Sequence, residues 1–443
     1  MIRKPGIKNV KIKPKIKSSK LTPISPNSIK KLTILIVKYF FQDKALVASL
    51  LLGLALRLCL SMLPGFQIDV NDWFAWAIRL SHFNFVTFYS KDFFTDYTPG
   101  YLYILSVLGF LKNFLQMPDR NFYLLLKIPA IISDLVIALL AFYQIKKVVP
   151  EKLAFLAFLF ILFNPAIIFN SAVWGQVDSI LTLFLLITVI SLKKNNLIFG
   201  SIFYGLSLLI KPQALALIPV LAIFLINQFK LLNLFKLLVP GLLIIFILAL
   251  PFFPNQTLVN LAHHITNTAG EYPYTSLFAY NLWGAVGFWL PDNKLWQGIS
   301  YQNLGYILFL SYWVTIVYFY FRNKLSIYTL GALAAMGFFF LPTRAHERYL
   351  YPALIFLILS TVTFRSRLLL TLTGALSLLH FLDLYYVYVY YNEIFLKLPK
   401  VLYNPFLYSF LDTNGKNLSL ISTAIFILIS VILIKYDIAL KKA

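Results

Sequence analysis

From residue 45 onward, apolar runs of 16 to 20 residues recur along the chain, and the polar breaks between them hold many of the lysines and arginines. A helix of that length rises about 24–30 Å, close to the hydrocarbon thickness of a bilayer. The pattern predicts an all-α polytopic membrane protein of about twelve spans. They fall near 45–63, 122–144, 153–169, 177–192, 197–210, 212–226, 237–253, 304–321, 326–341, 349–364, 368–383 and 418–434. Residues 99–115 are short and Tyr-rich, so they are expected as a juxtamembrane or re-entrant helix. Residues 197–226 are read as a helix broken at Lys211-Pro212, because proline removes a backbone donor. Fourteen residues of helix rise only about 21 Å, which puts Lys211 below the outer surface, in a protein-lined cavity.

Composition closes off other classes. With 443 residues, 60% hydrophobic and 12% charged, the chain cannot be a set of soluble domains. Its single cysteine, Cys59, excludes an internal disulfide and a cysteine-based metal site. Residues 1–44 carry twelve basic residues, one acid and four prolines. They are expected to be a disordered cytoplasmic tail that touches anionic lipid, with no nucleic-acid partner. With that tail inside, the loops at 146–152, 193–194, 230–236, 322–324 and 365–367 and the C-terminal segment from 435 fall on the same side. Together with the tail they account for the whole net charge of +23, as the positive-inside rule asks. Both termini are then cytoplasmic. Residues 45–253 read as an N-terminal catalytic membrane module, and 254–443 as a large outer loop with C-terminal helices.

The opposite face collects the candidate chemistry. Asp69-Val-Asn-Asp72 opens the first outer loop, ahead of Trp73-Phe-Ala-Trp76, whose spacing suits a helix lying in the interface. Asp69 reads either as a general base for a hydroxyl or as an N-cap. Asp96-Tyr-Thr-Pro-Gly-Tyr follows. Trp174-Gly-Gln176-Val-Asp178 reads as a helix cap or as the polar wall of a substrate pocket. Asp134, near mid-membrane, is expected to form a structural ion pair with Arg57. Arg344, His346, Glu347 and Arg348 lie within five residues. If that segment is helical, Glu347 pairs with Arg344 and leaves His346, Arg348 and Lys211 to meet an anion such as a phosphate. His263 and His264 are taken as loop residues, and Tyr385, Tyr386, Tyr388, Tyr390 and Tyr391 as an interfacial belt. No Walker, His-Glu-x-x-His or Gly-x-Ser-x-Gly pattern occurs.

Six motifs in order, over about 45–355, resemble bacterial relatives of the GPI mannosyltransferases within the GT-C superfamily of polytopic glycosyltransferases. They are Asp69 with Trp73-Phe-Ala-Trp-Ala, Asp-Tyr-Thr-Pro-Gly-Tyr, Trp-Gly-Gln-Val-Asp-Ser, Lys-Pro-Gln-Ala, Tyr-Asn-Leu-Trp-Gly and His-Glu-Arg-Tyr-Leu-Tyr-Pro. The resemblance implies transfer of a hexose, mannose by preference, from a polyprenyl-phosphate donor to a lipid, glycan or protein acceptor on the non-cytoplasmic side, with inversion. It implies Asp69 as the base, Asp178 at the pocket wall, and His346, Glu347 and Arg348 near the donor phosphate. Two departures stand out. Several branches bind a divalent metal through Asp-x-Asp, whereas this loop reads Asp69-Val-Asn-Asp72, so no cofactor is expected. Thr98 also stands where relatives commonly carry a second proline. The competing reading is a transporter or flippase for a lipid-linked sugar, which would need broken helices and buried charges too.

Overall fold

In the computed structural model, which describes residues 44–90, 92–227, 229–323 and 325–440, most of the described residues are helical. The expected basic tail lies outside the described residues, apart from Lys44. The chain divides into two units, Met1–Ala48 and Ser49–Ala443. The described part of the first is the opening turn of the helix Lys44–Ser61; the second holds the rest.

Among the described residues, six helices are long and apolar enough to cross a membrane: Lys44–Ser61, Asp119–Ile145, Leu231–Ala249, Tyr301–Arg322, Arg367–Phe395 and Pro405–Ile438. A seventh is reached if the pair Glu151–Leu162 and Pro165–Trp174, bent by 42°, counts as one span. The protein is membrane-associated, but the expectation of about twelve spans is wrong. The runs at 197–210, 326–341 and 349–364 form helices of only 14 residues each. A helix of that length rises about 21 Å and falls short of the bilayer core. Their apolarity has another cause. Every residue from Tyr351 to Val362 is buried in protein, so that helix is hydrophobic all round because it packs on all sides. The alternation of sides counted over twelve crossings falls with the count.

Some of the basic loops nevertheless converge. Lys193 sits 4.4 Å from the centre of the Tyr328 ring, whose hydroxyl donates to Gln144 at 3.2 Å. The Ser326 amide donates to Asp437 at 2.8 Å. These contacts gather the segments around 144–147, 193–194 and 435–437 at one end of the helices.

Three breaks shape the other end. Asn164 stops one helix and caps the next, its Oδ1 accepting from the Ala166 amide at 3.0 Å. The widened turn Phe169–Trp174 then ends at Gly175, whose φ of 91° is left-handed; an added Cβ would lie 3.2 Å from Lys127 Cγ. At the expected break, Lys211 is extended (φ −152°, ψ 137°) between the helix Leu197–Ile210 and a tight turn Pro212–Leu217. The expected juxtamembrane elements are the helices Gln67–Leu80 and Pro99–Phe114. They cross where Gly109 meets the Ala77 carbonyl so closely that a Cβ would stand 2.0 Å from it. Sheet structure is slight: Ser276–Leu277 pairs in parallel with Ala345–His346, and Leu295–Trp296 pairs with Ile299–Ser300.

The expected ion pair is present. Arg57 Nε donates to Asp134 Oδ2 at 2.9 Å with both side chains fully buried. Asp134 also accepts from the hydroxyls of Ser171 and Tyr351, and Arg57 Nη1 donates to the Leu162 carbonyl at 2.8 Å. Removing one partner leaves an uncompensated buried charge, which costs about 3–5 kcal/mol. Arg57→Leu is therefore expected to lower thermal stability in detergent sharply, while Arg57→Leu/Asp134→Leu recovers most of the loss. A double variant as unstable as the single one would contradict a paired-charge account.

Candidate functional site

The turn before the helix Gln67–Leu80 is pinned from several directions. Lys127 Nζ donates to the carbonyls of Ser61, Leu63 and Val173 at 2.9, 2.8 and 3.1 Å. Tyr388 donates to Pro64 O at 2.6 Å. Asn392 bridges the Gly65 carbonyl (2.8 Å) and the Gln67 amide (3.0 Å). Phe66 stacks on Trp174 with ring centroids 4.3 Å apart. The helix that follows presents Asp69, Asp72, Trp73 and Trp76 to one cavity of about 180 Å³, the i, i+3, i+4, i+7 face. Asp96, His346, Glu347 and Arg348 line the same cavity.

Asp69 sits in the first turn but does not cap it; the N-cap position is Phe66 and makes no side-chain bond. Its Oδ2 accepts from Trp174 Nε1 at 2.9 Å and from Gln176 Nε2 at 2.6 Å. No hydrogen bond reaches Oδ1 among the described residues. One oxygen is anchored and the other is open to the cavity.

Behind Asp69 lies a buried polar layer. Gln176 Oε1 accepts from Lys211 Nζ at 2.9 Å and from the Tyr97 hydroxyl at 3.2 Å. Lys211 pairs with Asp178 Oδ1 at 2.8 Å, and Asn170 Nδ2 donates to Asp178 Oδ2 at 3.2 Å. Trp174, Gln176, Asp178 and Lys211 thus hold Asp69 from behind and do not line the cavity. The expectation that Lys211 is free to meet an anion is corrected: its charge is matched by Asp178. Asp178 is likewise neither a cap nor an open wall.

The cationic segment is not one continuous helix. Residues 345–346 pair as a strand with 276–277, and Glu347–Leu350 forms a tight turn. Arg344, at φ 67°, leaves the group. It grips Asp292 with Nε at 2.7 Å and Nη2 at 3.3 Å, and Nη1 donates to the Ala269 carbonyl at 3.0 Å. The expected Glu347–Arg344 pair is replaced by Arg348 Nη1 to Glu347 Oε1, at 2.9 Å. The same Nη1 donates to His346 Nδ1 at 3.2 Å. Arg348 Nε is buried without a partner.

Electrostatics divide the cavity. Burial, reinforced by Arg348 and Lys211, holds His346 well below its usual range, so it is neutral and accepts through Nδ1. Burial would depress Arg348, but Asp69 and Glu347 outweigh it and keep the guanidinium charged. Burial, with Asp69 and Asp96 nearby, pushes Asp72 up to about 7. Burial and Asp69 push Asp96 up to about 6, against the pull of Arg348. Among the described residues no three His, Cys, Asp or Glu side chains converge closely enough to hold a metal ion.

Aromatic rings wall the cavity, Tyr97, Tyr272, Trp289 and Tyr391 among them. Tyr391 was expected in a belt, and Tyr385, Tyr386 and Tyr388 of that run are buried. His264 was expected in a loop; it lies in the helix Thr257–Gly270 and its Nε2 donates to the Tyr97 carbonyl at 3.0 Å. Sequence reasoning missed Lys127 and Asn392. A lysine mid-run in an apolar segment was the available signal for the first; nothing local marked the second. A larger cavity, about 610 Å³, lies on the other face of the helix Gln67–Leu80, beside Gln67 and Val70, with Lys127 and Arg120 in its wall and no carboxylate. No known protein-family model matches this chain, and no curated protein matches it.

Asp72 binds its proton more tightly in the folded state than in the unfolded chain. Its contribution to stability is therefore fully present below the ordinary carboxylate range and is lost as pH rises from about 4 through about 7. Asp72→Asn should flatten that fall and be the more stable form above pH 7. Parallel melting curves from pH 4 to 8 test this; a variant less stable than the parent at pH 8 would contradict it.

Proposed function

We propose that the protein is a membrane glycosyltransferase that moves a hexose, with mannose the first candidate, from a polyprenyl-phosphate donor to an acceptor hydroxyl on the non-cytoplasmic face. The observation that carries the reading is Asp69: one oxygen is locked by Trp174 and Gln176, the other opens to a cavity whose lining also includes charged Arg348. The six ordered motifs point the same way, and the convergence of basic loops at one end supports the orientation.

The chemistry asks little of the protein. A sugar on a lipid phosphate already has a good leaving group, so the enzyme must position the acceptor and balance charge. Asp69 Oδ1 takes the proton from the acceptor hydroxyl as its oxygen attacks the anomeric carbon. The bond from that carbon to the phosphate oxygen breaks, and the electron pair leaves with the lipid phosphate. Arg348 offers its guanidinium, with Nε unpartnered, to the developing anion. Neutral His346 adds no charge and can donate through Nε2. Attack and departure on opposite sides of the carbon give inversion. The aromatic walls suit the apolar face of a sugar ring.

Transfer is favoured over transport because two buried charge pairs, Arg57 with Asp134 and Lys211 with Asp178, are closed locally. A general base contributes roughly 10²–10⁴ in rate. Asp69→Asn should therefore lower transfer from polyprenyl-phosphate sugars in membranes by at least about a hundredfold with insertion unchanged. Arg348→Gln should weaken use of the donor more than of the acceptor. Near-parental transfer by Asp69→Asn would sink the assignment of the base, and unchanged donor kinetics in Arg348→Gln would remove the phosphate clamp.

A further inference from the structure

A third cavity, a groove of about 450 Å³, shares no lining residue with the one at Asp69. Its walls come from the helices Glu151–Leu162, Tyr351–Phe364 and Arg367–Tyr388. The middle helix begins three residues after Arg348 and ends just before Arg365, so its 14 residues separate the two sites by about 21 Å. The groove's flank is apolar and open, with Leu156, Phe160 and Leu370 each about half exposed.

Two features specify what it would hold. Arg365 and Arg367, both exposed, stand in its lining at the turn between two helices. Neither pairs with an acid among the described residues, and two guanidiniums from one short turn suit a phosphate. Deeper in the same groove is Thr373. It is only 1% exposed, and its hydroxyl has no hydrogen-bond partner. A helical threonine ordinarily bonds back to the preceding turn, and a buried hydroxyl without a partner is costly. Thr373 lies six residues, about 9 Å of helix, beyond Arg367, a depth that suits an ester carbonyl below a phosphate.

We propose that this groove binds one acyl chain of an anionic diacyl glycerophospholipid. Arg365 and Arg367 hold the phosphate, and the Thr373 hydroxyl donates to an ester carbonyl. Prenyl phosphates and ether lipids share the charge but lack the carbonyl. The site is independent of the transferase reading, since none of its residues lies at the Asp69 cavity.

The test is native mass spectrometry of the purified full-length chain, titrated separately with dioleoyl phosphatidylglycerol, dioleoyl phosphatidylcholine, a diether phosphatidylglycerol and a polyprenyl phosphate. Wild type should retain the diester phosphatidylglycerol roughly thirtyfold better than phosphatidylcholine, the scale set by two surface cations. Arg365→Gln/Arg367→Gln should erase that preference. Thr373→Val, nearly isosteric, should bring diester retention down to that of the diether form. Equal retention of phosphatidylglycerol and phosphatidylcholine by wild type would overturn the site without recourse to any variant. Retention of the diether lipid as strongly as the diester, or a loss of polyprenyl phosphate in Arg365→Gln/Arg367→Gln as large as the loss of the diester, would overturn the role of Thr373 and the diacyl assignment.

Discussion

The arrangement of the candidate site depends on which way one amide points. Gln176 lies between Asp69 and Lys211, both of which it touches. An ammonium only donates, so the carbonyl oxygen of Gln176 must face Lys211; the amide nitrogen is then left to face Asp69. The Tyr97 hydroxyl and the Val177 amide donate to the same oxygen and reinforce the choice. Lys211 in turn is held by Asp178. A cation that could have met the substrate instead fixes the orientation of a dipole, and the dipole fixes a carboxylate. Because both donors fall on Oδ2 of Asp69, the other oxygen is the one left free.

The cavity's charges follow from the same economy of partners. Three carboxylates on one side, Asp69, Asp72 and Asp96, cannot all be ionised cheaply in a half-buried space. Asp72 and Asp96 take the strain and hold their protons to about pH 7 and 6. Across from them Arg348 is kept charged by Asp69 and Glu347, while His346 is held neutral. In the proposed reaction that division matters: one group accepts a proton, one meets an anion, and the histidine between them does neither by default.

Much of the site was legible in the sequence, because its members lie in short motifs of unusual polarity within apolar surroundings. The Lys211-Pro212 break and the Arg57–Asp134 pair were legible for related reasons, since proline and mid-membrane charge each leave few options. The number of spans was not. A run such as Tyr351–Val362 carries no mark that separates burial in protein from burial in lipid, and only the packing of neighbours decides it. Arg344 was misplaced because its partner, Asp292, lies 52 residues away in a loop with no motif. Lys211 was read as free for the same reason: pairing with Asp178 required knowing that two helix ends meet. Asn392 and Tyr388, which pin the turn before Asp69, are ordinary residues in a tyrosine-rich run until the fold brings them to Gly65 and Pro64.

The central claim is that a carboxylate with one open oxygen works across a small cavity against a charged guanidinium. The most direct measurement is the anomeric configuration of the product when purified protein is given a polyprenyl-phosphate hexose of known configuration and a hydroxyl acceptor. The account predicts a single glycoside of inverted configuration and release of the polyprenyl phosphate. A product of retained configuration, or no transfer from any polyprenyl-phosphate sugar by correctly inserted protein, would contradict it.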